Sequence, residues 1–175
     1  MMTKDVIAAI LERRCVRRFK DDPVPRATIG RLIDAARWAP TAGNLQPWQF
    51  YVVYNDKKKR EIAQAALNQT FVGDAPVVIV VCTEPEMSAA KYRERGKNLY
   101  AIQDSAAAAQ NIMLAACGYG LGTCWVGAFD ETMVIEALEL PRGVLPVVII
   151  PVGYPAEENK APARRPVEEI VHIIE

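Results

Sequence analysis

The amino-acid sequence predicts an α+β domain, and three observations carry that reading. Val77 to Cys82 is an unbroken apolar, mostly β-branched run, the pattern of a strand covered on both faces. Asn98 to Cys117 sets Leu99, Ile102, Ala106, Ala109, Ile112, Met113 and Ala116 mostly at three- and four-residue steps, the period of one long helix. Around these two, helical and strand patterns alternate without repeats, low-complexity tracts or long linkers. A chain of 175 residues usually builds one core, so residues 1–175 are expected to form a single domain.

The elements follow in order. Thr3 is expected to cap a first helix carrying Val6, Ile7, Ile10 and Leu11 on its apolar face. Asp21-Asp22-Pro23 turns the chain. Pro25 suits the first position of a second helix, with Ile29, Leu32, Ile33 and Ala36 on one face, which stops before Pro40. Trp48 to Val53 reads as a strand, with Trp48 anchoring it. Asn55-Asp56 opens a helix whose Lys57, Lys58, Lys59 and Arg60 form a solvated first turn ahead of Ile62, Ala65, Ala66 and Leu67. The alanines of the long helix (Ala106 to Ala109, Ala115, Ala116) let another helix approach closely, which marks it as central, and Gly118 ends it. A strand over 123–126, a helix opening at Asp130 and a strand over 147–152 complete the core. Trp38 and Trp125 are expected in the core or at an interface, Cys82 as an inert buried thiol, and Glu168-Glu169 on an exposed terminal face.

Composition excludes several kinds of chemistry. The 21 Lys+Arg balance the 21 Asp+Glu, so no whole-protein field draws the chain to nucleic acid or to an anionic membrane. With one histidine, His172, and four cysteines lacking a C-x-x-C pair, neither a histidine-rich metal site nor a Ser-His-Asp arrangement is expected. Any difficult chemistry then belongs to a bound cofactor. The stretch Val144 to Tyr154 is apolar but broken by prolines and glycine, too short to span a bilayer. The N-terminus lacks the pattern of a signal peptide, and scattered cysteines suit a reducing compartment, so a cytoplasmic protein is expected. Gly118-Tyr119-Gly120-Leu121-Gly122 follows a helix and has the wrong spacing for a dinucleotide fingerprint.

Charge is unevenly spread. Residues 1–60 hold thirteen Lys+Arg against six Asp+Glu, a net +7, and residues 61–175 hold eight against fifteen, a net −7. Arg13, Arg14, Arg17 and Arg18 concentrate four guanidinium groups within six residues, more than a solvated helix end needs. The loop Ala39 to Trp48 joins a helix to a strand and carries Thr41, Gly43, Asn44 and Gln46 between two prolines. Its amides can read a ring edge of alternating N–H and C=O groups, or can serve an Asx-type turn.

Taken together, these segments resemble the nitroreductase family of flavin enzymes. The resemblance rests on Arg13-Arg14-Cys15-Val16-Arg17-Arg18-Phe19, the 39–48 loop, Gly120-Leu121-Gly122-Thr123-Cys124-Trp125-Val126-Gly127, Gly153-Tyr154-Pro155 and Arg164-Arg165-Pro166, in order along nearly the whole chain. It implies a central mixed β-sheet flanked by helices, in an intertwined homodimer with FMN at the subunit interface. On this resemblance Arg13, Arg14, Cys15 and Arg17 hold the phosphate and ribityl chain, and Arg164 and Arg165 close on the same phosphate. Pro40, Thr41, Ala42, Asn44 and Gln46 form the loop that the partner subunit lays against the flavin. Gly127 and Ala128 offer backbone N–H groups to the ring, and Asn68 or Gln69 a polar contact at its pyrimidine edge.

The resemblance further implies NAD(P)H as electron donor and nitroaromatic or quinone-type small molecules as acceptors, in a ping-pong cycle through flavin N5 with no catalytic side chain. Reductive dehalogenation, flavin breakdown and a non-catalytic FMN-binding module are the alternatives. Three positions depart from many relatives: Cys15 stands for a serine, Ala42 for a hydroxyl residue, and Gly127 for the glutamate of some members.

Overall fold

The computed structural model describes residues 4–158 and 160–175. Its helices are α1 (Val6–Glu12), α2 (Arg26–Ala36), α3 (Asp56–Ala65), α4 (Thr70–Asp74), α5 (Pro85–Arg95), α6 (Ala101–Gly118) and α7 (Glu131–Leu138). The strands are β1 (Trp48–Val53), β2 (Val77–Thr83), β3 (Gly122–Thr123) and β4 (Leu145–Gly153), in the sheet order β1-β2-β4-β3. All three ladders between these strands are antiparallel, and the parallel component is an isolated bridge between Cys15 and Thr123.

The sheet lies between two helical layers. Strand side chains alternate faces, so Val77, Ile79 and Val81 enter a core with α2 and α6, whereas Val78, Val80 and Cys82 enter a second core with α3, α4 and α7. Every residue of β2 is buried, as the continuous apolar run predicts. The alanines of α6 admit α2 closely: Ala35, Ala36, Ala108, Ala109, Ala115 and Ala116 share one cluster. The Asn111 amide donates to the Ala35 carbonyl at 3.1 Å across that contact.

Several sequence expectations are corrected. Thr3 lies outside the described residues; the cap of α1 is Asp5, whose carboxylate accepts from the Ala8 N–H at 2.8 Å. Pro25 precedes α2 as its cap and accepts through its carbonyl from Thr28. The long helix begins with a wide turn, Gly96–Tyr100, and runs through Gly118. The left-handed residue that stops it is Gly120 (φ 74), because Tyr119 still donates back to the Ala115 and Ala116 carbonyls. Of the expected 123–126 strand only Thr123 joins a ladder, together with Gly122 before it, and Val126 pairs singly with Ile149.

Lys59 is not solvated. It is 6% exposed, donating through Nζ to the Ala75 carbonyl at 2.7 Å and pairing with Asp56 at 3.0 Å. Trp38 and Trp125 are exposed, so neither belongs to the core, whereas Trp48 is buried at the start of β1. Helices α4 and α5 were not among the expected elements. Among the described residues, no helix is long and apolar enough to cross a membrane.

Candidate functional site

The segment after α1 runs extended, so Arg13, Cys15 and Arg17 share one face. It is held to the sheet by the Cys15–Thr123 bridge and by Val16 N–H donating to the Thr123 carbonyl at 2.9 Å. Gly122 makes this approach feasible, since a Cβ there would stand 2.6 Å from Val16 Cγ2.

Around Cys15 the chain gathers donors. Burial disfavours its thiolate, but the Trp125 backbone N–H, the Cys124 thiol and the Arg13 guanidinium outweigh that and lower its pKa. Cys124 moves the other way: burial first, then the negative charge of Cys15, push it up to about 11. The Cys124 sulfur also lies 3.8 Å from the Trp125 carbonyl. Arg17 sets its guanidinium 5.7 Å from the centre of the Phe71 ring. Two residues before Phe71, the Gln69 amide donates to the Ala66 carbonyl at 2.9 Å and the Ala128 carbonyl at 3.3 Å. This ties the exposed Gly127–Ala128 turn to the segment carrying Phe71. Among the described residues, no carboxylate pairs with Arg13, Arg14 or Arg17. The guanidinium groups of Arg13 and Arg17 are thus left without a carboxylate partner among those residues.

Arg14 turns to the other side. Its Nη1 donates to the Leu11 carbonyl at 2.7 Å and the Arg13 carbonyl at 2.9 Å. It borders a cavity of about 380 Å³ in which Lys4, Arg13 and Arg14 face Glu12, Glu157 and Glu158. Lys4 pairs with Glu12 at 2.6 Å, and the three cations and three carboxylates around this cavity balance.

The 39–48 loop stands elsewhere. Gly43, Asn44 and Gln46 all take positive φ. Gln46 donates through its side chain to the Asn44 side-chain oxygen at 3.2 Å and through its backbone to Thr41 Oγ1 at 3.3 Å. Both oxygens of Asp104 in α6 accept from the Ala42 N–H at 3.2 Å. Asp104 is 6% exposed, and burial raises its pKa while the Ala42 hydrogen bond opposes the rise. Gly43 packs beneath Lys91 and Tyr92 of α5, and Pro40 is exposed at the start of the loop.

Within one chain, no hydrogen bond, ion pair or ring contact among the described residues joins this loop to Arg13, Cys15 or Arg17. Arg164 and Arg165 are likewise apart, exposed on the terminal segment, with Arg165 paired to Glu169 at 3.3 Å. Asn68, left-handed at φ 60, lines a separate groove with Arg60 and Asp74, while its neighbour Gln69 reaches Ala128.

Sequence reasoning missed the roles of Phe71, Cys124 and Asp104. Asp104 had a signal: it lies four residues before Ala108 and eight before Ile112, on the stripe of the long helix that faces the core.

Fold and site together define an α+β protein with a guanidinium-rich segment whose Arg13 and Arg17 form no ion pair with a carboxylate among the described residues, the chemistry of an anion site. The sequence pattern of the nitroreductase family matches residues 10–72 and 64–154. An NADH dehydrogenase of Thermus thermophilus is 33% identical over 194 residues, covering 95% of this chain and 95% of that protein. A nitroreductase family protein from Streptococcus pneumoniae superposes with a TM-score of 0.90 at 27% identity, over 97% of this chain and 100% of the other. The NADPH:FMN oxidoreductase of Vibrio harveyi, solved with NAD+, gives 0.89 at 27% identity, over 98% and 78%. The chain belongs to the nitroreductase family.

Proposed function

We propose that the chain is an NAD(P)H-dependent flavin oxidoreductase that binds FMN and reduces nitroaromatic or quinone-type acceptors as a homodimer. The observation that carries this reading is the segment of Arg13, Cys15 and Arg17, whose two guanidinium groups form no ion pair with a carboxylate among the described residues, beside the exposed Gly127–Ala128 segment. A phosphate monoester brings about −1.5 to −2 charges at neutral pH and three acceptor oxygens, which forked guanidinium donors match. The donor set therefore fits FMN.

In this reading Arg13 and Arg17 hold the phosphate and ribityl end, and Cys15 takes the place of a hydroxyl there. Arg14, tied back to two carbonyls, supports the segment and adds positive charge. Gly127 and Ala128 present backbone N–H groups to the ring, with Gln69 rather than Asn68 fixing that turn. Pro40, Thr41, Ala42, Asn44 and Gln46 reach the ring from the partner subunit, and Arg164 and Arg165 close on the phosphate. Bound FMN supplies hydride acceptance from NAD(P)H and hydride delivery to the acceptor in turn. The chain's residues bind, orient and exclude water; none has to move a proton.

Exposed apolar surface supports the homodimer. Leu11 is 67% exposed and Trp38 73%, and Ile7, Ile173 and Ile174 are also uncovered, a surface of the kind that partners bury. The separation of the 39–48 loop from Arg13 within one chain fits sites completed by two chains. On this reading residues 1–175 act as a single FMN-binding domain, in the cytoplasm, where four free thiols persist.

Comparing FMN with riboflavin tests the phosphate site. Changing Arg13 and Arg17 to glutamate should weaken FMN binding by at least about tenfold, since a charged hydrogen bond contributes roughly 1.5–3 kcal/mol. Riboflavin binding should change far less. Equal losses for both flavins, or unchanged FMN retention, would remove the phosphate from this face.

A further inference from the structure

Two thiols meet beside the arginine face, and the reaction proposed above makes no use of them as a pair. The parallel bridge between Cys15 and Thr123 sets Cys124, the next residue, beside Cys15 along the backbone, and Cys15 packs against the buried cluster that holds Cys124. Their surroundings differ. Cys15 is half-buried and receives donors from the Trp125 N–H and the Arg13 guanidinium, whereas Cys124 is fully enclosed. One thiol is thus partly exposed with its thiolate favoured, and the other is an enclosed neighbour in the same packed cluster, its thiol form favoured by burial. Of the other two thiols, Cys82 lies inside β2, where burial pushes it up to about 12, and Cys117 lies in α6.

We propose that Cys15 and Cys124 form a dithiol that hydrogen peroxide oxidises to a reversible disulfide, with Cys15 as the attacking sulfur and Cys124 as the resolving one. The Cys15 thiolate attacks one peroxide oxygen, the O–O bond breaks, and hydroxide leaves with Cys15 as the sulfenic acid. The Cys124 sulfur then attacks the Cys15 sulfur; the S–O bond breaks, the S–S bond forms, and the departing oxygen leaves as water with the Cys124 proton. In sum, two thiols and one hydrogen peroxide give one disulfide and two waters, the sulfurs losing the two electrons that the peroxide gains. A small dithiol reductant reverses the step by thiol–disulfide exchange. The bond joins the arginine segment covalently to the turn before Gly127, so the oxidation state governs how firmly those two parts are held together. The inference stands on the two thiols and not on the flavin reading.

The test uses the purified full-length chain as isolated, treated with hydrogen peroxide and then alkylated under denaturing conditions. Two of the four thiols should resist alkylation, the mass of the chain should fall by about 2 Da, and dithiothreitol should restore both. Trypsin with chymotrypsin cuts after Arg14, Arg17 and Tyr119, which separates Cys117 from Cys124. The linked product should join Cys15-Val16-Arg17 to a peptide beginning at Gly120. The variant Cys117→Ser should give the same product, and Cys124→Ser should leave Cys15 as sulfenic or sulfinic acid with no link. Four alkylatable thiols after peroxide, a link through Cys82 or Cys117, or sulfinic Cys15 in the unmodified sequence without the link would overturn the proposal.

Discussion

Replacing Asp104 with alanine probes how the 39–48 loop is held. Asp104 sits on the core-facing stripe of α6 at 6% exposure, and its two oxygens share the Ala42 N–H at 3.2 Å. Losing that acceptor strands a part-buried backbone donor, which costs about 1–3 kcal/mol. Alanine recovers roughly 0.5 kcal/mol through its higher helix propensity. The net loss expected is about 0.5–2.5 kcal/mol.

The variant Asp104→Asn separates hydrogen bond from charge, because it keeps an oxygen for Ala42 and removes the carboxylate. Burial raises the Asp104 pKa above the ordinary carboxylate value, with the Ala42 N–H opposing. The folded chain therefore holds this proton more tightly than the unfolded chain does. Its contribution to stability is complete below the unfolded carboxylate pKa and is lost as pH rises through the folded one. Urea unfolding followed by tryptophan fluorescence, from about pH 4 to pH 7, should show a smaller decline with pH in Asp104→Asn than in the parent. Toward the acid end of that range the asparagine variant should match the parent, near neutral pH it should be the more stable of the two, and the alanine variant should fall below the asparagine variant throughout. An alanine variant as stable as the parent, or an asparagine variant that loses as much as alanine, would refute this account of the loop.

Two substitutions test the packing that positions the site. Lys59→Met keeps the buried stem but leaves the Ala75 carbonyl without its 2.7 Å donor. The urea midpoint should fall by the equivalent of about 1–3 kcal/mol with an unchanged slope, and Asp56→Asn, at the exposed partner, should cost much less. Gly122→Ala would drive a Cβ to within 2.6–2.9 Å of the Val16 side chain. A loss of about 1–3 kcal/mol is expected, most of it recovered by adding Val16→Ala, since the two residues are in contact.

Much of the fold was legible because its signals are local. The β2 run, the Asn55 and Asp130 caps and the periodic face of α6 each follow from a few adjacent residues, and each appears in place. What could not be read depends on contacts distant in sequence. Lys59 looks like its solvated neighbours Lys57 and Lys58 until α4 and the start of β2 bring the Ala75 carbonyl over it. The apolar face of α1 is periodic, yet its own chain leaves Val6, Ile7, Ile10 and Leu11 exposed. At the site, the arginine cluster was visible as a concentration of charge, but which arginines share a face follows from the Cys15–Thr123 bridge, which no local pattern encodes. The same bridge brings together two cysteines more than a hundred residues apart in sequence. That Gln69 reaches the Ala128 carbonyl is likewise a contact between segments distant in sequence.

Anaerobic titration of the purified protein with NADH and with NADPH tests the central claim most directly. The account predicts a protein that carries FMN and whose visible flavin absorption bleaches with at least one nicotinamide, then returns when a quinone or nitroaromatic acceptor is added. A protein that binds no flavin, or a bound flavin that neither nicotinamide bleaches, would contradict it.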